Sequence, residues 1–219
     1  MKIVAAAKIL KANDQLAEEN RRKLCAAGVY GVNLVGSPGC GKTTLLEALF
    51  AQLKDRLAPA VIEGDIAGSI DAERIDALGV PVVQINTDGA CHLDATMVAA
   101  ALADLDLTAV KLLAIENVGN LVCTAGFDLG EHLRIALLSV PEGDDKLVKY
   151  PAIFRGSQAL VISKIDLLAH FNFSVDRVAA DLKRLAPEAR LFQISALKGD
   201  GMTELADWLS GKCGATADG

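Results

Sequence analysis

The sequence predicts an α/β fold, with a mostly parallel central sheet of about seven strands flanked by helices. Three observations predict it. Apolar strand-like runs alternate with helical stretches along the chain. The runs are continuous rather than alternating in polarity, as strands covered on both faces require. Gly and Asp gather just after the runs, and open parallel sheets bind ligands outside the carboxyl ends of their strands.

The elements follow in order. Asn13 can cap a first helix over about 13–27, which Gly28 stops. Strand-like runs cover 29–35, 60–63, 80–86, 111–116, 133–140, 159–163 and 190–194. Helical stretches lie between them at 42–56, 71–78, 93–105, 175–185 and 202–210. The 219 residues suffice for one well-buried domain spanning 1–219, ending in a short loose tail at about 211–219.

Composition narrows the function classes. Apolar residues make up 52% of the chain, a globular and not a disordered balance. The net charge of −6 argues against nucleic acid as a partner, since phosphate backbones demand clustered Lys and Arg. The short Arg21-Arg22-Lys23 run reads as a solvated helix face. No apolar run reaches bilayer length. The opening stretch at 1–10 is interrupted by Lys8 and shows no convincing cleavage site. The expectation is a cytoplasmic protein with neither a membrane nor a nucleic-acid partner. Its five cysteines, an odd number at uneven spacing, read as thiols or metal ligands rather than disulfides.

Gly36-Ser37-Pro38-Gly39-Cys40-Gly41-Lys42-Thr43 fits G-x-x-x-x-G-K-[ST] between a strand and a helix. Glycines let the backbone turn its N–H groups inward at phosphate oxygens, and the following helix adds its positive end. Lys42 is placed to reach the β and γ phosphates, and the Thr43 hydroxyl to bind Mg²⁺. Thr44 continues the loop into the helix, and Cys40 reads as a small filler. Two acids end strands beside this loop, Asp65 and Glu116, and both are expected to hold the Mg²⁺ shell. Each could instead cap a loop. Gly119, just after Glu116, could present an N–H to the γ phosphate.

Ser163-Lys164-Ile165-Asp166 follows the sixth strand and Ser195-Ala196-Leu197 the seventh. A carboxylate at Asp166 can accept both N1–H and N2–H of guanine, whereas adenine offers neither donor on that edge. The Lys164 stem is expected to cover the base, and the Ala196 N–H to meet the guanine oxygen. Ser163 stands where the wider class has Asn, which puts the bonds of that Asn to the base and the phosphate loop in question.

A second constellation lies apart from the phosphates. Cys91 and His92 precede a helix, and Cys123 follows Glu116 closely. Thiolate and imidazole together select Ni²⁺, Zn²⁺ or Cu⁺. Three ligands leave a shell that a two-fold partner could complete. The alternative is two buried cysteines and an exposed histidine.

Taken together, the chain resembles the HypB family, the nickel-incorporation GTPases of [NiFe]-hydrogenase maturation within the SIMIBI class of P-loop NTPases. The similarity includes Glu63-Gly64-Asp65, Cys91-His92-Leu93-Asp94, Glu116-Asn117-Val118-Gly119-Asn120-Leu121-Val122-Cys123 and Glu142-Gly143-Asp144-Asp145-Lys146, of which the run from Glu116 to Cys123 and the Cys91-His92 pair are the specific ones. The resemblance implies slow GTP hydrolysis to GDP with Mg²⁺, and a nucleotide-dependent homodimer. It implies Ni²⁺, or alternatively Zn²⁺, on Cys91, His92 and Cys123. It also implies delivery to the hydrogenase large-subunit precursor with a HypA-like nickel chaperone. The sequence departs from the family at Thr124, where Pro is usual. It carries neither the Cys-rich nor the His-rich nickel motif of some relatives and has three His in all. A single switchable site is what remains. Rival readings are a GTPase serving urease or cobalamin enzymes, and a non-catalytic metal carrier.

Overall fold

The computed structural model describes residues 6–215. Its centre is a seven-stranded sheet formed by β1 (Tyr30–Gly36), β2 (Pro59–Asp65), β3 (Val82–Asn86), β4 (Leu112–Glu116), β5 (Leu133–Ser139), β6 (Ala159–Ser163) and β7 (Arg190–Gln193). The order across the sheet is β3-β2-β4-β1-β5-β6-β7, and every pairing is parallel. The central strands β1, β4, β5 and β6 are buried along their whole length, which is why they read as unbroken apolar runs. β3 and β7 lie at the edges and are partly exposed.

The helices are α1 (Ala6–Ala26), α2 (Lys42–Leu57), α3 (Ile70–Asp76), α4 (Ala95–Asp104), α5 (Lys146–Lys149), α6 (Pro151–Arg155), α7 (Val175–Leu185) and α8 (Met202–Ala215). They cover both faces of the sheet. On one face Leu45, Leu46, Leu49, Phe50 and Leu53 of α2 pack with Leu205, Ala206 and Leu209 of α8 against Val32, Leu34, Ala114 and Ile135. Burying a Leu or Phe side chain contributes roughly 1.5–3 kcal/mol each, so α2 is firmly anchored, and with it the loop that precedes it. On the other face Leu93 and Val98 meet Ile62 and Ile115, while Phe154 and Val178 meet Ala136 and Leu160.

The structure extends two predicted elements. α1 begins at Ala6 rather than being capped at Asn13. The Asn13 amide is committed elsewhere: Oδ1 accepts the Ala95 N–H at 2.9 Å and Nδ2 donates to the Asp128 carbonyl at 2.8 Å. Asn20 Nδ2 likewise donates to the Ala95 and Leu129 carbonyls. Two asparagines of α1 thereby pin it to the start of α4. The expected loose tail is helical as far as Ala215, because α8 continues through Gly211. Residues 1–5 of the opening stretch and 216–219 of the tail lie outside the described residues. The short helices α5 and α6, broken by Pro151, carry no clear sequence period.

Candidate functional site

The phosphate loop leaves β1 at Gly36 and enters α2 at Lys42. Gly41 sits at φ 97°, in the left-handed region, so that the chain can turn directly into the helix. Lys42 and Thr43 are buried although polar. The Thr43 hydroxyl donates to Glu116 Oε1 at 2.9 Å, and Lys42 Nζ lies 3.9 Å from the same oxygen. Cys40 is fully buried and its thiol is pushed up to about 11 by that burial, consistent with a filler role.

A cavity of about 370 Å³ opens over the loop, lined by Pro38, Gly39, Lys42, Thr43, Glu63, Asp65, Asp71, Arg74, Glu116, Gly119 and Lys164 among others. Inside it both expected carboxylates, Asp65 and Glu116, line the wall, and two further acids join them. Glu63, Asp71 and Glu116 bring carboxylate oxygens within 4.8 Å of one another. Asp65 lines the cavity but spends its carboxylate on its own loop, accepting the Ile66 N–H at 2.6 Å and the Gly68 N–H at 3.1 Å. Glu63 and Glu116 are buried, and the Oε2 atom of each has no hydrogen-bond partner. Burial, and then the neighbouring Glu116 carboxylate, push Glu63 up to about 10; burial also raises Glu116, against the pull of Lys42. Hard carboxylate oxygens beside a threonine hydroxyl suit Mg²⁺, and the two partnerless oxygens are what a cation would satisfy.

Sequence reasoning missed Glu63, Asp71 and Arg74. The signal for Glu63 was its place in Glu63-Gly64-Asp65, since it is the direct register partner of Glu116 across β2 and β4. Arg74 bridges Glu47, Asp71 and the Thr44 hydroxyl, so Thr44 is engaged by this side chain.

The base-side residues converge on the same loop. Ser163 Oγ donates to the Cys40 carbonyl at 2.6 Å, so the shorter residue keeps a bond to the phosphate loop. Lys164, at φ 59°, lays its stem over Gly41 and donates from Nζ to the Gly39 carbonyl at 2.7 Å. Asp166 Oδ1 accepts from Ser195 Oγ at 2.6 Å, and this bond holds its carboxyl below the usual range. Ala196 is partly buried, whereas Leu197 is 85% exposed.

Gly119 packs directly on the loop: a Cβ there would stand 2.8 Å from Pro38 Cα and N. The chain then passes through Asn120 into a 3₁₀ turn, Cys123–Gly126. This turn meets Cys91 and His92. The three donors lie within 4.8 Å of one another, with Cys91 Sγ 3.8 Å from His92 Nδ1. The His92 ring stacks on Phe127, centroids 3.9 Å apart. The cluster expected from the sequence is therefore assembled. Its cysteines, expected as thiols, are joined to each other as a disulfide with Cα atoms 6.1 Å apart. Side chains close enough to share one ion are also close enough to bond. Two thiolates and an imidazole at this spacing fit a soft or borderline ion once the pair is reduced.

Comparison with known proteins agrees with this geometry. Residues 31–193 match the family described as CobW/HypB/UreG, nucleotide-binding domain. The hydrogenase maturation factor HypB of Escherichia coli (strain K12) is 47% identical over 201 residues, covering 92% of this chain and 69% of that protein. The hydrogenase/urease maturation factor HypB of Helicobacter hepaticus is 45% identical over 214 residues, covering 96% of this chain and 88% of that one. The crystal structure of HypB from Helicobacter pylori in complex with nickel superimposes with a TM-score of 0.89 at 42% identity, over 92% of this chain and 95% of that one. The chain belongs to the CobW/HypB/UreG family of nucleotide-binding domains and, within it, to the HypB hydrogenase maturation factors.

Proposed function

We propose that the protein hydrolyses GTP slowly and uses nucleotide state to control one metal site, from which nickel passes to the [NiFe]-hydrogenase large-subunit precursor. One observation carries the reading. The segment that lies on Pro38 at Gly119 ends, a few residues on, at the metal candidate Cys123. A residue that feels the γ phosphate and a sulfur ligand therefore share one short stretch of backbone.

In this reading Lys42 and the loop N–H groups bind the β and γ phosphates, and Asp166 accepts the guanine edge protons. Thr43, Glu116, Glu63 and Asp71 would hold Mg²⁺, which supplies charge neutralisation along the triphosphate. The intrinsic rate is low and is raised by a partner, as in GTPases whose attacking water is positioned only when a partner binds.

Cys91, His92 and Cys123 take the cargo ion, Ni²⁺ with Zn²⁺ as the alternative occupant. They leave a tetrahedral shell one donor short, so a second copy of the chain completes it in a nucleotide-dependent homodimer. Val122, 65% exposed beside Cys123, offers that copy an apolar contact. A HypA-like chaperone supplies or receives the ion. The setting is cytoplasmic and reducing, because the two sulfurs ligate only as thiolates. No helix of the described residues is long and apolar enough to cross a membrane.

The test is Lys42→Ala. GTP turnover should vanish while the reduced, nucleotide-free protein still binds Ni²⁺; unchanged turnover overturns the assignment, and turnover at blank level in the parent leaves a non-catalytic carrier. A second reading, service to a urease, is favoured by the name of the Helicobacter hepaticus relative. Specific co-precipitation of a urease subunit instead of a hydrogenase precursor would establish it.

A further inference from the structure

Two asparagines flank the Val118-Gly119 dipeptide, and each joins the phosphate loop's strand to one half of the metal cluster. Asn117 is buried and its backbone N–H donates to the Leu34 carbonyl on β1 at 3.0 Å. Its side-chain Oδ1 accepts the Leu93 N–H at 3.1 Å and the Val118 N–H at 3.0 Å. Leu93 directly follows Cys91-His92 and is itself fully buried, with its side chain against Gly64 of β2. Asn120 donates its backbone N–H to the carbonyl of Gly36, the first residue of the phosphate loop, at 2.9 Å. Its Oδ1 accepts the Val122 N–H at 2.7 Å and the Cys123 N–H at 2.9 Å, and its carbonyl accepts the Thr124 hydroxyl at 2.7 Å.

We propose that Asn117 and Asn120 are the positioning residues that transmit nucleotide state to the metal cluster, Asn117 through the Cys91-His92 side and Asn120 through the Cys123 side. The inference rests on the switch reading above and goes beyond it by assigning the linkage. Each asparagine is fixed at its main chain to β1, the strand that delivers the loop, and reaches out at its side chain to a ligand-bearing segment. A shift of Gly119 toward or away from Pro38 turns both side chains, because they sit immediately on either side of Val118-Gly119. Asn120 Oδ1 gathers two successive N–H groups of the Cys123 side, whereas Asn117 Oδ1 joins the N–H of its own neighbour Val118 to that of Leu93. An amide oxygen holding two N–H groups fixes direction as well as distance, so each ligand segment follows its amide. With only one tether, movement at Gly119 could leave the opposite ligands behind; with both, it changes the distance between the sulfurs.

The experiment measures Ni²⁺ affinity of the full, reduced chain with GDP and with a non-hydrolysable GTP analogue. It compares the parent, Asn120→Ala, Asn120→Asp and Asn117→Ala. The parent should show a ratio between the two nucleotide states within about 5–150-fold, the span usual for linked sites. Asn120→Ala and Asn117→Ala should bring the ratio toward one, and Asn120→Asp, which keeps the acceptor, should restore it. If Asn117→Ala does not fold, the Asn120 pair decides alone. A parental ratio retained in the alanine variants, or an equal loss of affinity in both states, overturns the inference and leaves the switch standing. A parent with no ratio removes the switch itself and the inference with it.

Discussion

Glu63 and Glu116 face each other as direct register partners on β2 and β4, each with a buried Oε2 that no group bonds. Two buried carboxylates this close are costly when both are charged, and the proposed function gives them a cation to offset that cost.

Replacing Glu63 with Gln should stabilise the metal-free protein at neutral pH. The folded chain holds the Glu63 proton up to about 10, whereas the unfolded chain releases it above the ordinary glutamate value of 4.5. Folding therefore takes up a proton, and its cost grows as pH rises from 4.5; near neutral pH this amounts to on the order of 3 kcal/mol. Urea unfolding between about pH 5 and about pH 8 should show the parent weakening while Glu63→Gln stays flatter. Stabilisation of the parent by Mg²⁺ with GDP should shrink in the variant. Superimposable parent and variant curves would refute the carboxylate cluster as a cation site.

Asp166→Asn should exchange base preference. Under the proposed function the carboxylate, held in place by Ser195 Oγ, is the acceptor for two guanine protons; an amide keeps one acceptor and adds a donor that suits the C2 carbonyl of xanthine. Guanine affinity should fall by about 10²-fold or more, with xanthosine diphosphate gaining. Competition of GDP, XDP and ADP measures it, and an unchanged GDP affinity would deny Asp166 the base-reading role.

Metal uptake should follow the redox state of Cys91 and Cys123, because a disulfide presents no thiolate. Oxidised protein should bind Ni²⁺ weakly, and reductant should restore binding in step with free-thiol titre. Cys123→Ser should lower affinity by more than about 10-fold, since even outer-shell changes at metal sites cost that much. Equal uptake by oxidised and reduced protein would exclude this cluster as the site.

His132 should contribute to acid sensitivity. Burial, and then Arg21, hold its imidazole below the ordinary histidine value of 6.5. Its Nδ1 accepts the Gly31 N–H at 2.9 Å. As pH falls through 6.5 the unfolded chain gains the proton first, so stability is full above that pH and declines below it. Thermal melts from about pH 7.5 down to about pH 5.5 should show a decline that His132→Gln flattens; identical slopes would remove His132 as a cause.

How legible each part was depends on how far its cause lies along the chain. The phosphate loop reads directly because its chemistry resides in consecutive residues between one strand and one helix. The seven strands read well because burial on both faces leaves no polar alternation. Asp65 and Glu63 could not be ranked that way, since both close the same strand. Only pairing with β4 sets Glu63 against Glu116 and turns Asp65 back to its own loop. The start of α1 was misplaced because Asn13 has the composition of a cap, while its partners, Ala95 and Asp128, are distant in sequence. Ser163 raised a question that a single hydrogen bond to Cys40 answers on the phosphate-loop side.

By itself the sequence determined the parallel α/β scaffold, the phosphate loop, the acid at Asp166 and the three soft donors, because local residue types at fixed spacing carry that chemistry. Tertiary structure alone decided which carboxylates meet, that Cys91 and Cys123 touch, and that two asparagines lie between loop and ligands. Those outcomes depend on register and packing between segments far apart in the chain, where many residues of suitable type compete and only their three-dimensional neighbours select among them.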